Sequence, residues 1–217
     1  MHDMGRSRGA LPLGLAVRLP FLPGYRQRGA GGCSMYGLVN KALEDLVCAQ
    51  FGEETWDRMV EVAGIEEVGF ISVDTYDDQI TYRLVEAGTQ VLGLSACQLL
   101  EAFGEHWTRY TAEEGYGDLM LSFGTNMGDF LTNLNDLHVR VTTTLPQLRP
   151  PHFQAQRLPD GKIELIYKSE RPGLAPMVVG LLRGLGKRFG HEVEIEHTGL
   201  QADAGYDTFL ITCKDAA

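Results

Sequence analysis

One histidine of the chain, His138, lies in a stripe of apolar residues and could serve as a metal ligand. From residue 127 the stripe recurs at Met127, Phe130, Leu131, Leu134, Leu137, Val141 and Leu145. Spacings of three and four are typical of one buried helix face, so the imidazole is expected to point into the core. A core histidine of this kind commonly bonds a backbone carbonyl. The alternative is that a neutral ring nitrogen binds a metal held within the fold.

A second group of polar side chains follows on a predicted strand over residues 162–171. Tyr167, Ser169 and Arg171 would share one face, because side chains alternate along a strand, and would span about 13 Å. The guanidinium matches a carboxylate, and the phenol and hydroxyl add single donors. Haem has an apolar body and two propionates, and its iron is commonly held by one imidazole, so it would suit this face and His138. The alternative is a strand end whose polar groups meet only water.

The elements that must position these residues form two blocks. Helices are predicted first, over residues 35–51, 55–63, 80–93, 95–107 and 126–144. After Pro151, apolar and polar residues alternate, which is typical of strands. The second block comprises strands over 153–157, 162–171, 192–197 and 207–213, a hairpin turn at 159–161 and a helix over 176–189. The sequence therefore predicts an α+β fold, with a helical N-terminal part followed by a four-stranded antiparallel sheet with one inserted helix.

Composition narrows the classes of protein. The 217 residues suffice for one domain with a core, and a net charge of −10 argues against nucleic-acid binding. The four cysteines stand far apart, which excludes a disulfide framework and fits a reducing, cytoplasmic compartment. Residues 1–34 are rich in Arg, Gly and Pro, and their apolar stretch is too short and interrupted to span a membrane. We expect a disordered or non-native extension over 1–34 and a single domain over 35–217.

Several segments, taken in order, resemble one known family. They are MYGLVNKALEDLV from Met35, LHVRV around His138, LPQLRPP after it, YKSER from Tyr167 and GLAPMVVGLLRGLGKRF over 173–189. In this order they resemble the haem–nitric oxide/oxygen binding (H-NOX) domains, which include the haem domain of soluble guanylate cyclase. The resemblance extends over residues 35–213.

The resemblance implies a haem b cofactor between the helices and the sheet. His138 would be the proximal ligand of its iron. Six further residues would surround the haem: Tyr167, Ser169 and Arg171 at the propionates, Pro151 pressing on the haem, and Trp107 and Met177 on the distal side. For Trp107 and Met177, ordinary core packing is an equal alternative.

The resemblance also implies a function. Relatives that hold O2 use a distal tyrosine as a hydrogen-bond donor, whereas this chain has Met177 there and no tyrosine between residues 172 and 189. We therefore expect a gas sensor, not an enzyme, that binds NO in preference to O2, with CO as a further ligand. NO would weaken the iron–His138 bond, and the signal would pass to a separate histidine kinase or nucleotide cyclase.

Two other functions remain open at this level. A haem-dependent redox enzyme of the peroxidase or oxidase type needs a polar acid–base group over the iron. His106 is the candidate for that group, although it should lie on a different helix face from Trp107. A haem-free module could instead bind another apolar dianion in the same pocket.

Overall fold

The structure is a computed structural model that describes residues 34–66, 69–201 and 205–215. The predicted extension therefore lies outside the described residues, except for Ser34, which begins the first strand. The N-terminal part consists of β1 (Ser34–Tyr36), α1 (Gly37–Phe51), α2 (Glu53–Ala63), β2 (Thr75–Asp77), α3 (Asp78–Leu92) and α4 (Ala96–Thr111). A π-helical turn (Ala112–Tyr116) leads to α5 (Gly117–Ser122), α6 (Met127–Thr132) and α7 (Leu134–Thr142). The C-terminal part consists of β3 (His152–Arg157), β4 (Ile163–Lys168), α8 (Ala175–Arg188), β5 (His191–Gln201) and β6 (Tyr206–Asp215).

The helix ends follow from the local sequence. Ser95 and Gln98 form the capping box that begins α4, which satisfies amides that have no partner within the helix. Gly64 and Gly93 end α2 and α3 in the left-handed conformation, with φ of 61° and 67°. None of the helices in the described part of the chain is long and apolar enough to cross a membrane.

The predicted antiparallel sheet is confirmed, with the strand order β3-β4-β6-β5. A hairpin turn joins β3 to β4 at Gly161, whose φ of 86° suits glycine. One strand boundary was wrong: β4 ends at Lys168, so Ser169 and Arg171 lie in the loop that follows. A small ribbon, in which Thr75–Asp77 pairs with Ser34–Tyr36, was not predicted from the sequence.

The helix expected over residues 126–144 is in fact two helices. Asn126 caps α6, and its side-chain oxygen accepts a hydrogen bond of 3.0 Å from the Asp129 amide. Asn133 then leaves the helical path, with φ −95° and ψ 4°, and donates from Nδ2 to the Phe123 carbonyl at 2.9 Å. His138 therefore lies on the short helix α7, which contributes no fully buried residue to the core.

Two apolar clusters form the interior. One lies among α1, α2, α3 and α4, and the other lies between the sheet, α6 and α8. Where α4 crosses α8 the backbones touch, since a Cβ added at Gly180 would lie 1.9 Å from the Glu101 carbonyl oxygen. A Cβ added at Gly104 would lie 2.1 Å from the Met177 carbonyl oxygen. Glycine at both positions thus lets these helices pack closely beside the space that separates the two clusters.

Candidate cofactor site

A cavity of about 300 Å³ lies between the helical part and the sheet. Its walls are mainly aliphatic and aromatic side chains from α1, α4, α6, α7, α8 and the sheet. The cavity brings together the seven residues that the resemblance placed around the haem: Trp107, His138, Pro151, Tyr167, Ser169, Arg171 and Met177. An apolar chamber with a few convergent polar groups is the usual form of a small-molecule site.

The imidazole of His138 lies in this chamber and is mostly buried. Burial lowers the pKa of His138 to about 4, and only the backbone of Pro151 opposes this shift. Proline has no amide hydrogen, so the opposing group is its carbonyl. Nδ1 of His138 is nevertheless buried without a close hydrogen bond to the described residues. The ring is therefore neutral at pH 7, which is the form that binds a metal.

His138 is an isolated candidate ligand rather than a member of a cluster. Within the described ranges, no group of three or more His, Cys, Asp and Glu residues could hold a metal ion. An isolated metal ion bound by protein side chains normally needs about four ligands, whereas haem iron needs one axial side chain. The donor set and the apolar walls thus fit haem better than a bare ion.

Tyr167 and Ser169 line the cavity near the end of β4. Tyr167 is only 5% exposed, and burial raises the pKa of its phenol, although Ser169 and Arg171 oppose the shift. Ser169 Oγ accepts a hydrogen bond of 3.0 Å from the Arg171 amide, which fixes the turn after the strand. The phenol is therefore a neutral donor next to a hydroxyl at this end of the chamber.

Arg171 reaches the cavity from the loop and not from the expected strand face. Its Nε donates to Asp78 Oδ2 at 2.8 Å, and Nη2 lies 3.3 Å from Asp78 Oδ1. Nη2 also donates to the Ser34 carbonyl at 3.0 Å, and Nη1 donates to the Arg149 carbonyl at 2.9 Å. The sequence did not indicate Asp78 as a site residue, because an acidic residue at the start of a helix is common.

The wall formed by α4 and α8 contains Trp107 and Met177, as expected. Thr108 and Thr111 also line it, but their hydroxyls donate to backbone carbonyls of their own helix at 2.9 and 2.7 Å. Tyr116, from the turn after α4, lines the cavity as well, and sequence reasoning missed it. A phenol in a glycine-rich connection gave no signal that it would turn inward.

His106 lies away from the cavity, as its place on α4 predicted. Its Nε2 is 2.9 Å from an Asp45 carboxylate oxygen on α1, and its Nδ1 is 3.0 Å from Nη2 of Arg109. Burial and then Arg109 lower the pKa of His106, while Asp45 raises it. His106 therefore ties α1 to α4, and it is not placed to act on a ligand inside the chamber.

Comparison with known proteins decides the family. The profile described as haem-NO-binding matches residues 36–197. The chain belongs to this family, the H-NOX domains. It is thus a haem-binding gas-sensor domain of the guanylate cyclase type and not a catalytic domain, and the α+β fold expected from the sequence is the fold of the family.

Similar proteins agree with this assignment. Soluble guanylate cyclase gcy-32 of Caenorhabditis elegans is 33% identical over 157 residues, which are 71% of this chain and 23% of that protein. The chain thus spans about a quarter of the length of this relative. An H-NOX protein from Shewanella oneidensis in the Fe(II)NO ligation state superposes with a TM-score of 0.76 at 24% identity, covering 83% of this chain and all of that one. The unliganded Fe(II) H-NOX protein of K. algicida gives 0.72 at 23% identity, over 83% and 97% of the two chains.

Proposed function

We propose that the chamber holds haem b with His138 as its proximal ligand, and that the domain senses NO in preference to O2. One observation carries this proposal: a neutral, mostly buried imidazole lies in an apolar cavity of a domain in the haem-NO-binding family. The Pro151 carbonyl interacts with the ring, but Nδ1 makes no close hydrogen bond, so the ring is held less firmly than an ordinary core histidine.

The acidic edge of the haem would lie against Tyr167, Ser169 and Arg171. Arg171 is paired with Asp78 and bonds two carbonyls, so its charge is balanced and a propionate would have to compete with Asp78 for it. The Tyr167 phenol would act as a neutral donor to a propionate. Pro151 lines the cavity and interacts with His138 through its carbonyl, which suits a residue that presses on the bound haem.

Haem held by His138 would supply a ferrous iron that binds NO. The protein decides between the gases through the donors around the ligand. Met177 offers no N–H or O–H, and the hydroxyls of Thr108 and Thr111 are engaged with their own helix. These features disfavour O2, which gains more than NO from a donor. Trp107 and Tyr116 are the two remaining donors on this wall.

The output is proposed to pass to a nucleotide cyclase or a histidine kinase. The support is the similarity to soluble guanylate cyclases, in which the matched part is 23% of the protein. NO, and CO as a further ligand, would change the state of the domain, and the partner would respond to it.

The visible spectrum of the full chain loaded with haem tests these proposals. The ferrous protein should bind NO and show no stable oxy spectrum in air. His138→Gly should lose haem, and free imidazole should restore it, because imidazole can occupy the space that the side chain leaves. The exposed His152 provides a matched control in His152→Gly, which should keep its haem.

Two results would contradict the proposals separately. Wild-type haem affinity in His138→Gly without imidazole would exclude His138 as the ligand. A stable change of the wild-type ferrous protein to an oxy spectrum in air would exclude selectivity against O2. If Tyr116→Phe abolished that change, Tyr116 would be the donor responsible.

A further inference from the structure

Asn135 lies on α7 one turn before His138, and its side-chain amide bonds both backbone polar groups of Phe153. Nδ2 of Asn135 donates to the Phe153 carbonyl at 2.5 Å, and Oδ1 accepts from the Phe153 amide at 3.0 Å. This pair of bonds is the pattern that one residue of a neighbouring strand would make. The side chain thus fastens α7 to the sheet.

The place of Phe153 in the sheet explains why these groups are available. Phe153 belongs to β3, which is an outer strand of the four-stranded sheet. An outer strand leaves half of its backbone groups without a strand partner. Asn135 covers one such pair, at the residue where β3 passes the cavity.

The side chain of Phe153 connects the two ends of the proposed site. Its ring centroid is 6.0 Å from that of His138 and 5.3 Å from that of Tyr167, which faces Phe153 across the β3–β4 pair. Holding the backbone of Phe153 therefore also holds a ring that contacts both residues. A shift of α7 must either break the two Asn135 bonds or move Phe153.

We propose that Asn135 is a positioning residue for His138 and couples movement of α7 to the edge of the sheet. The inference rests on the proposed role of His138 as the haem ligand. Because α7 has no fully buried residue, apolar packing holds this helix only weakly. Hydrogen bonds therefore contribute more to its position. Asn135 links the side of the helix that carries His138 to Phe153, and through it to Tyr167.

Two variants and one control separate the two hydrogen bonds. Asn135→Ala removes both bonds, whereas Asn135→Asp keeps the oxygen that accepts from the Phe153 amide and loses the donor. Asp136→Ala is the matched control, since Asp136 is the exposed next residue of the same helix. Two measurements apply: amide hydrogen exchange of Phe153, with and without haem, and the iron–histidine stretching band of the ferrous protein by resonance Raman spectroscopy.

The exchange rate of the Phe153 amide is expected to rise from the wild type to Asn135→Asp and again to Asn135→Ala. Exchange of the Phe153 amide should become roughly tenfold faster in Asn135→Ala, because a bonded amide has lost its acceptor, and less so in Asn135→Asp. The iron–histidine band should shift or broaden in both variants and stay unchanged in Asp136→Ala. If Asn135 positions His138, the iron–histidine band must change when Asn135 is replaced. Loss of stability alone would not change this band.

Three outcomes would decide against the inference or its basis. Wild-type exchange at Phe153 in Asn135→Ala would show that the amide does not clamp β3. An unchanged iron–histidine band in a haem-loaded Asn135→Ala protein would show that the clamp does not position His138. If the wild type failed to bind haem, the proposed function would fall, whereas exchange in the haem-free protein would still show whether the clamp exists.

Discussion

The two sides of the cavity are built in different ways. On one side, α4 and α8 bury eight and six residues, and their backbones meet at Gly104 and Gly180. On the other side, α7 buries none completely and is held by the two bonds from Asn135 and by the loops around it. Close-packed interiors resist displacement, whereas elements with few buried contacts move at low cost. The proposed haem ligand therefore lies on the more easily displaced side.

This difference suits a sensor. A stiff wall keeps the size and polarity of the ligand pocket constant, and a weakly packed helix can adopt a second position if the proposed bond between His138 and the cofactor changes. A ligand shifts such an equilibrium only by its difference in affinity for the two states, so a small cost of displacement increases the response.

The largest predicted effect tests the stiff wall. Gly180→Ala would bring a Cβ to 1.9 Å from the Glu101 carbonyl oxygen and 2.8 Å from the Glu105 amide nitrogen, so α4 and α8 must separate. We expect the free energy of unfolding to fall by about 3 kcal/mol, as measured by urea denaturation of the haem-free protein. Val139→Ala on α7 is the control, since Val139 is 65% exposed and should change stability by less than about 0.5 kcal/mol. If Gly180→Ala and Val139→Ala lowered the free energy of unfolding equally, the two sides of the cavity would not differ in how tightly they are packed.

The second largest predicted effect is a loss of stability in acid that arises from His138 on α7. The pKa of His138 is lowered from 6.5 to about 4 in the folded protein, so between these values the unfolded chain binds a proton that the folded one does not. The unfolded chain therefore gains from protonation of His138 below pH 6.5. The stability of the folded protein is complete above pH 6.5 in this respect and is lost progressively as the pH falls towards 4. From pH 7 to pH 5 the haem-free protein should lose about 2 kcal/mol through this group.

Urea denaturation at the two pH values checks this loss. His138→Leu should lack it, whereas His152→Gln, at an exposed position, should retain it. The same pH sensitivity in His138→Leu as in the wild type would show that the imidazole is not buried in its neutral form. After correction for the intrinsic exchange rate at each pH, protection against hydrogen exchange should be lost in α7 before α4 as the pH falls.

The smallest predicted effect concerns the outer surface of the stiff wall. Lys187 Nζ lies 2.5 Å from a Glu105 oxygen, and Arg183 Nη1 lies 2.5 Å from a Glu101 oxygen, so two ion pairs join α4 to α8. Both pairs are partly exposed to water, which screens them. Glu105→Gln should cost less than about 1 kcal/mol in thermal or urea unfolding, and 0.5 M salt should reduce the difference. A larger, salt-insensitive loss would mean that charge rather than backbone contact stiffens this wall.

Much of the fold could be predicted because local signals determine it. Periodicity, the Ser95 capping box and the glycines that end helices are readable without tertiary context, and each predicted helix and strand begins within two residues of an observed one. The break at Asn133 could not be read, since the apolar stripe continues across it and only the bond to the Phe123 carbonyl reveals it. The β1–β2 ribbon was missed because its short strands depend on each other rather than on alternation.

The candidate site likewise has a part that the sequence predicted and a part that it did not. The residues expected around the cavity all line it, although their roles remain proposals. The contacts of Arg171 with Asp78, and of Asn135 with Phe153, join segments that are distant in sequence or separated by a loop. Such polar partners are chosen by the final packing, and the residue types alone fit many alternatives.

Arg171 has one further consequence, which concerns synthesis of the chain. Its guanidinium joins the carbonyl of Ser34, 137 positions earlier, to Asp78 and to the carbonyl of Arg149. At a ribosomal rate of about 5–20 residues per second, roughly ten seconds separate Ser34 from Arg171. During that interval the helices can form while one end of the chamber still lacks its closing residue. A nascent chain released before Arg171 would thus present an unfinished pocket, so stable loading with a large cofactor is expected only after nearly the whole domain has left the ribosome.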